Sequence, residues 1–421
     1  MRVVVVALGK IGLPIAVQIA RHGHEVVGCD VDARVVALVN DAREPFPGEA
    51  GLAEGLAEVV GAGRLRASTD TTAAVAEGAD LVIAVPPLVV DADARPDFSI
   101  LDAVVDDIGR GLQPGTVVCV ETTLPVGTTR TRIAPRLAEL SGLQSERDFF
   151  TIHSPERVYS GRIFQDLRSY PKIVGGLTDE GERRGVALYD SFLDAEIRPM
   201  GSAEAAELTK LAETTYRDVN IALANEFARY ADTIGIDVER VIDAANSQPF
   251  SHIHRPGIAV GGHCIPVYPR FYLAGDPNAQ LPAAARAVNQ MMPGYAVGLL
   301  QEALGDLTGR TVLILGVSYR GDVKETAFSG AFPVRDELTR AGASVVASDP
   351  LYDESELAAL GFTAWDGRPV DGAIVQADHS EYRSLAPDAL PGVRAVVDGR
   401  GVLGDPAWSR DGVAVHRIGR S

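Results

Sequence analysis

The opening of the chain constrains the fold more than any other segment. Residues 3–8 form an apolar run that reads as a buried strand, and it enters the turn Gly9-Lys10-Ile11-Gly12. Apolar residues at helical spacing follow over 13–22, and a second strand-like run over 25–30 ends on Asp30, 18 residues after Gly12. Strand, glycine turn, helix, strand and acid in this order predict a Rossmann nucleotide site. The turn is tight, the backbone can approach a pyrophosphate, and the helix N-terminus favours its charge. Gly9, Lys10, Ile11 and Gly12 are therefore candidate cofactor-binding residues. Asp30 would accept hydrogen bonds from the adenosine ribose and repel a 2′-phosphate, which favours NAD over NADP; Asp32 adds to that repulsion. Ala7 departs from the pattern, because it stands where the first glycine is usual. Whether its methyl fits depends on φ at that position. A glycine turn with a purely structural role is the alternative.

Alternating strand-like and helical patterns continue, with apolar runs at 81–85, 116–121, 149–153 and 172–175. They predict a parallel, doubly wound sheet. Residues 203–234 contain neither Pro nor Gly and predict one helix, roughly 45 Å long at ~1.5 Å per residue. A helix of that length suits a domain connection or a subunit interface. Further helix is expected over 238–246 and 282–304, with an irregular stretch at 248–269 between them. A second α/β unit begins at Thr311, with a helix over 332–341 and short strands at 372–376 and 394–398. The expected fold class is α/β, with two Rossmann-like doubly wound domains joined by a long central helix and a helical middle domain. The boundaries fall at 1–200, 201–305 and 306–421.

The net charge of −18 repels nucleic-acid phosphate and anionic lipid, so neither is an expected partner. An anionic substrate would need a local basic pocket. No apolar stretch reaches the ~18–20 residues of a membrane span, and the N-terminal run is too short for a secretory core, so the cytoplasm is expected. No metal site is expected. Of the three cysteines, Cys29 and Cys119 lie in apolar runs and read as packing residues. Cys264 lies in the polar loop Gly261-Gly262-His263-Cys264 and is a candidate nucleophile. A small packed residue in a tight loop is the other reading. The glycines before it would let backbone approach a ligand.

The whole chain resembles the UDP-glucose/GDP-mannose dehydrogenase family. The resemblance rests on LGKIGLPIA (8–16), STD (68–70), VPP (85–87), ETTLPVGTT (121–129), HSPERVYSGRI (153–163) and KIVGG (172–176). It continues through EAAELTKLAETTYRDVNIALANE (204–226), PGIAVGGHCIP (256–266), LGVSYRGDV (315–323), SDP (348–350) and DGRGVL (398–403). SPERV and GGHCIP look most like the branch acting on UDP-2-acetamido sugars. The resemblance implies an NAD-binding domain, a dimerising helical middle and a nucleotide-sugar-binding domain. It also implies oxidation of a sugar C6 alcohol to the acid with two NAD, through a thioester on Cys264. Lys210 would stabilise an oxyanion, Glu156 would serve thioester hydrolysis, and Thr123 would lie near the water and, with Pro86, near the cofactor. Arg320, Arg255, Gly257, Gly261 and Arg157 are candidate substrate contacts. A snorkelling lysine, a capping threonine and surface ion pairs for the arginines are the corresponding alternatives, and Arg157 suits a structural ion pair. Arg400 is a weaker candidate.

Five departures from the family pattern fall in or near the expected site. Thr214 stands where the family has Asn, and Tyr268 where it has Asp. Phe250 and Ala327 replace arginines of the acetamido-sugar branch, and Gly330 replaces a proline. Charged contacts contribute about 1.5–3 kcal/mol each, so the ordinary substrate would bind roughly a hundredfold weaker without compensation. Three readings follow. The first is the four-electron oxidation of an unusual nucleotide sugar, with Tyr268 as a hydrogen-bond donor. The second is a two-electron or redox-neutral conversion. The third is a non-catalytic relative that still binds nucleotide sugar. Six-phosphogluconate and β-hydroxyacid dehydrogenases share the Rossmann start and a helical domain, but lack a second α/β domain.

Overall fold

The computed structural model describes residues 1–91, 93–159, 161–409 and 412–420. They form two compact units, Met1–Glu213 with Arg270–Asp276, and Thr214–Pro269 with Pro277–Ser421.

The first unit carries strands β1 (Arg2–Val6), β2 (Glu25–Cys29), β3 (Leu65–Ser68), β4 (Leu81–Ala84), β5 (Val89–Val90), β6 (Pro96–Asp97), β7 (Val117–Val120), β8 (Phe150–His153), β9 (Lys172–Gly176) and β10 (Ile197–Pro199). β5 and β6 pair as a separate antiparallel ribbon. The other eight form one sheet in the order β10-β9-β8-β7-β4-β1-β2-β3. The chain runs outward from β1 to β3 and then crosses back to β4. The switch point between β1 and β4 is where an open sheet of this kind offers a crevice to a ligand.

The sheet is not wholly parallel, as the apolar runs suggested. β9 pairs antiparallel with β8, and β10 runs parallel to β9. Every residue of β9 is buried, and a strand buried on both faces reads as continuous apolar sequence whichever way it runs. β3 and β10 escape the sequence reading for a related reason. They are edge strands with exposed positions, and neither makes an apolar run.

Ala7 adopts φ 74°, the left-handed region that costs an L-residue roughly 1–2 kcal/mol. Gly12 begins the first helix, Gly12–Arg21. A Cβ there would lie 1.9 Å from the Ala7 carbonyl oxygen. The turn thus demands glycine at one position and tolerates strain at the other. Ala7→Gly is expected to stabilise the protein by about 1 kcal/mol. Urea unfolding would measure this, and an unchanged or lower midpoint would contradict it.

The helix Ala203–Ile234 matches the sequence expectation, and the division between the units falls within it. The second unit also holds helices Val238–Ala245 and Gln280–Leu304, the latter with Pro293 inside. Its sheet comprises β11 (Thr311–Leu315), β12 (Ser344–Ser348), β13 (Gly372–Val375), β14 (Ala395–Asp398) and β15 (Ala414–Arg417), in the order β12-β11-β13-β14-β15. All four pairings are parallel. This second α/β sheet removes the six-phosphogluconate and β-hydroxyacid alternative. Among the described residues, no helix is long and apolar enough to cross a membrane.

Candidate active site

In the first unit, a Cβ on Gly9 would meet nothing within 4 Å, so the turn leaves open space beside its backbone. The helix Gly12–Arg21 starts after Ile11 with no side-chain cap and no acidic residue in its first turn. Leu13 donates its N–H to the Gly9 carbonyl at 3.2 Å and Pro14 has none, so the positive dipole end and the backbone N–H groups before Leu13 are what suit a pyrophosphate. Asp30 accepts the Leu8 N–H through Oδ2 at 2.8 Å and the Asp32 N–H through Oδ1 at 2.9 Å. Each oxygen keeps acceptor capacity for a ribose hydroxyl. Asp32 caps its own helix by accepting the Arg34 N–H. Gly9 to Gly12 with Asp30 therefore fit a dinucleotide with an unmodified ribose.

Pro86 and Thr123 are both buried. Thr122 Oγ1, not Thr123, donates to the Pro86 carbonyl at 2.5 Å. The loop that follows is held by Glu207, a fully buried residue of the long helix. Its carboxylate accepts N–H groups from Gly127 and Thr129 and the Thr129 hydroxyl, at 2.5, 2.9 and 2.7 Å. Burial raises the Glu207 carboxyl above its ordinary pKa, against those three bonds. Sequence reasoning missed Glu207. An acid among Ala and Leu on a helical face was its only signal.

Glu156 sits just beyond β8. Its Oε1 accepts the Arg157 N–H at 2.6 Å, and its own N–H donates to the Glu121 carbonyl at 3.2 Å. Lys210, half-buried on the long helix, acts on Glu156 electrostatically. Arg157 is ion-paired with Glu213 and donates to the Pro171 carbonyl at 3.0 Å, the structural pairing that its sequence position suggested. The first unit thus brings Glu156, Arg157 and Lys210 together.

The second unit holds Cys264, which is exposed, whereas Cys29 and Cys119 are buried. Burial pushes the Cys29 thiol up to about 11 and the Cys119 thiol higher still. The Cys264 carbonyl accepts N–H groups from Val267 and Tyr268, at 3.2 and 2.9 Å. Tyr268 opens the helix Tyr268–Gly275. The protein's own packing also requires the glycines before Cys264. A Cβ on Gly261 would lie 2.7 Å from Tyr319 Cβ, and one on Gly262, at φ 88°, would lie 3.0 Å from the Tyr319 ring. The close approach is to Tyr319, not to open space.

Gly257, at the other end of the loop, donates its N–H to Asn225 Oδ1 at 2.9 Å. Asn225 in turn donates to Asn289 at 2.9 Å, and Asn289 to Asp218 at 2.8 Å. Asp218 is fully buried and ion-paired with Arg286. This polar chain ties the loop to both long helices of the unit, and Thr214 is buried one turn before Asp218.

The arginines separate clearly. Arg255 pairs with Asp243 at the surface, so the salt-bridge alternative describes it. Arg320 is exposed, with its guanidinium 5.9 Å from the Tyr319 ring centre. Arg400, the weakest candidate by sequence, is the most distinctive in place. Its Nε and Nη2 donate to the carbonyls of Gln376 and Tyr319, at 2.7 and 3.3 Å. Its Nη1 lies 3.4 Å from where a Gly257 Cβ would stand. Among the described residues no carboxylate pairs with it, and burial lowers its pKa, with Asp378 opposing. A desolvated guanidinium without a paired acid suits an anionic ligand.

Comparison with known proteins agrees with this architecture. Residues 1–193 match the NAD binding domain of the UDP-glucose/GDP-mannose dehydrogenase family, 204–291 its central domain, and 313–405 its UDP binding domain. A UDP-N-acetyl-D-mannosamine dehydrogenase of Pyrococcus horikoshii is 33% identical over 418 residues, 96% of this chain and 97% of the relative. An NDP-N-acetyl-D-galactosaminuronic acid dehydrogenase of Ralstonia solanacearum is 32% identical, with 94% and 95% covered. The solved UDP-D-ManNAc dehydrogenase of P. horikoshii superposes with a TM-score of 0.89 at 32% identity, covering 100% of this chain and 99% of that one. A nucleotide site in the first sheet, a second α/β sheet and matches along nearly the full length place this chain in the UDP-glucose/GDP-mannose dehydrogenase family of NAD-dependent nucleotide-sugar oxidoreductases.

Proposed function

We propose that this protein oxidises a UDP-hexose or UDP-2-acetamido-hexose at C6 to the uronic acid, through a thiohemiacetal and then a thioester on Cys264. The observation that carries the reading is the contrast among the thiols. Cys264 alone is exposed, in a loop braced by Tyr319 and Asn225, while the other two are buried and hard to ionise. Similarity to acetamido-sugar dehydrogenases over nearly the whole chain supports the substrate class.

NAD, when bound along Gly9–Gly12 and Asp30, supplies the acceptor for two hydrides. The chain's own residues do the rest. The Cys264 thiolate adds to the C6 aldehyde and forms the C–S bond. Lys210 stabilises the oxyanion that develops. Glu156 takes a proton from water, whose oxygen attacks the thioester carbon and expels the thiolate. Thr123 helps place that water. Arg400 and Arg320 suit the diphosphate. Alcohol, two NAD and one water give carboxylate, two NADH and three protons. Tyr268 and Thr214 favour a second reading, a two-electron or redox-neutral conversion, because neither supplies the carboxylate or the amide that the family pattern has at those positions. A screen of UDP- and GDP-hexoses by NADH absorbance, with 2-acetamido forms included, tests the class. If none turns over, yet a nucleotide sugar raises the melting temperature, the binding-protein reading holds instead.

The long helix also supports a homodimer. Tyr216, Leu223, Phe227, Tyr230 and Ile234 are exposed along one helical face, Tyr230 by 66%. A continuous apolar stripe at helical spacing is the self-complementary kind of surface that two-fold dimers bury. Tyr230→Asp with Phe227→Asp is expected to convert dimer to monomer in sedimentation. A wild-type monomer, or an undisturbed mutant dimer, would contradict this.

A further inference from the structure

Three charged side chains meet in one cluster: Lys172, Glu121 and Glu156. Lys172 Nζ lies 2.9 Å from Glu121 Oε2 and 3.3 Å from Glu156 Oε2. Side-chain exposure is 6% for Lys172, 0% for Glu121 and 12% for Glu156. Tyr189 donates its hydroxyl to Glu121 Oε1, and Cys119 Sγ lies 3.1 Å from the same hydroxyl. The ammonium also lies 5.2 Å from the Tyr189 ring centre. The antiparallel direction of β9 makes this meeting possible. His153 pairs with Gly175 and Ile152 with Gly176; continuing that register past the strand brings Glu156 opposite Lys172.

Two carboxylates against one ammonium leave one surplus negative charge in a desolvated place. An unpaired buried charge is costly, so such a cluster draws a proton. Which acid takes it decides whether Glu156 is available as a base.

We propose that Lys172 and Glu121 are positioning residues for Glu156: Lys172 holds the Glu156 carboxylate ionised and oriented, and Glu121 absorbs the proton that the surplus charge attracts. This rests on the reading of Glu156 as the group that activates water. Burial, opposed by Lys172 and assisted by Glu156, pushes the Glu121 carboxyl up to about 7. Burial also acts to raise Glu156, but Lys172, the Arg157 N–H, a hydrogen bond from Glu121 and Lys210 outweigh it and hold that carboxyl below its ordinary value. Lys172 itself is held above the usual lysine range, because its two carboxylates overcome burial. As pH falls through neutrality the proton therefore goes to Glu121, and Glu156 stays charged. The groups acting on Glu156 are Lys172 from β9, Glu121 beyond β7, Lys210 from the long helix, and the neighbouring Arg157–Glu213 pair.

The test is the acidic limb of the pH profile for acid formation. In Lys172→Met two buried carboxylates face each other, and the limb is expected to move up by about 1–3 pH units. Adding Glu121→Gln to that variant should leave the limb raised, because Glu156 still lacks its ammonium, and Lys172→Arg should keep it near wild type. Glu121→Gln alone should leave the limb near wild type, because Glu121 is already neutral there, and should abolish one carboxyl titration near neutral pH in infrared difference spectra; if Lys172→Met does not fold, that loss decides. A limb that stays put in Lys172→Met, or a neutral-range carboxyl titration that persists in Glu121→Gln, while Glu156→Gln loses acid formation, would overturn the proposal. Full acid formation in Glu156→Gln would overturn the underlying reading, and the proposal with it.

Discussion

Cys264→Ala is expected to abolish uronic acid formation, by about 10^4-fold or more, because no other group can hold the acyl intermediate. The first oxidation does not need the thiol as a hydride acceptor, so some aldehyde and a single NADH are expected to remain. The loss should be chemical and not a failure to fold. Cys264 is exposed, and removing an exposed sulfur typically changes stability by less than about 0.5 kcal/mol. Chromatography of the sugar products with matched unfolding curves would separate the two effects. Wild-type amounts of acid from this variant would end the thioester reading.

Gly12→Ala is expected to be as severe, but through the backbone. The added methyl would lie 1.9 Å from the Ala7 carbonyl oxygen and 3.1 Å from its carbon. Neither is the end of a flexible side chain, so the turn itself must move. Forced overpacking of a rigid site costs typically 1–3 kcal/mol and occasionally more; about 3 kcal/mol is expected here. The displaced turn would also spoil the helix N-terminus that suits the pyrophosphate. The variant should unfold earlier and lose the thermal shift that NAD gives the parent protein. Parental stability and NAD response would show that the turn relaxes freely. Gly9→Ala provides the contrast, since its methyl meets no protein atom and interferes only with a ligand.

Much of the fold was legible because continuous burial leaves a continuous apolar record. β1, β2, β4, β7 and β8 are buried over most or all of their length, and the turn before Gly12 carries its own signature. The helix Ala203–Ile234 announced itself by the lack of any breaker. β15 was not legible, because each of its residues is half-buried and no face dominates. Strand direction was not legible either, and it matters: the reversal of β9 brings Lys172 to Glu156.

The candidate site divides in the same way. Residues in distinctive local motifs, such as Cys264, Glu156 and Asp30, could be named from sequence. Residues that act across long separations could not. Glu207 reaches a loop some 80 positions away, and Asn225 holds Gly257 across 32. Arg400 became prominent only when burial and the absence of a paired acid among the described residues were visible. Gly261 and Gly262 show the converse. Their sequence suggested close backbone approach, and the structure shows Tyr319 packed against both.

The central claim is a four-electron oxidation at Cys264, and counting NADH per nucleotide sugar consumed tests it most directly. With UDP-N-acetylmannosamine or whichever UDP-hexose turns over, two NADH and one uronic acid per sugar are expected. One NADH with an aldehyde product, or a converted sugar with none, would contradict it and leave Tyr268 and Thr214 as the marks of a different reaction.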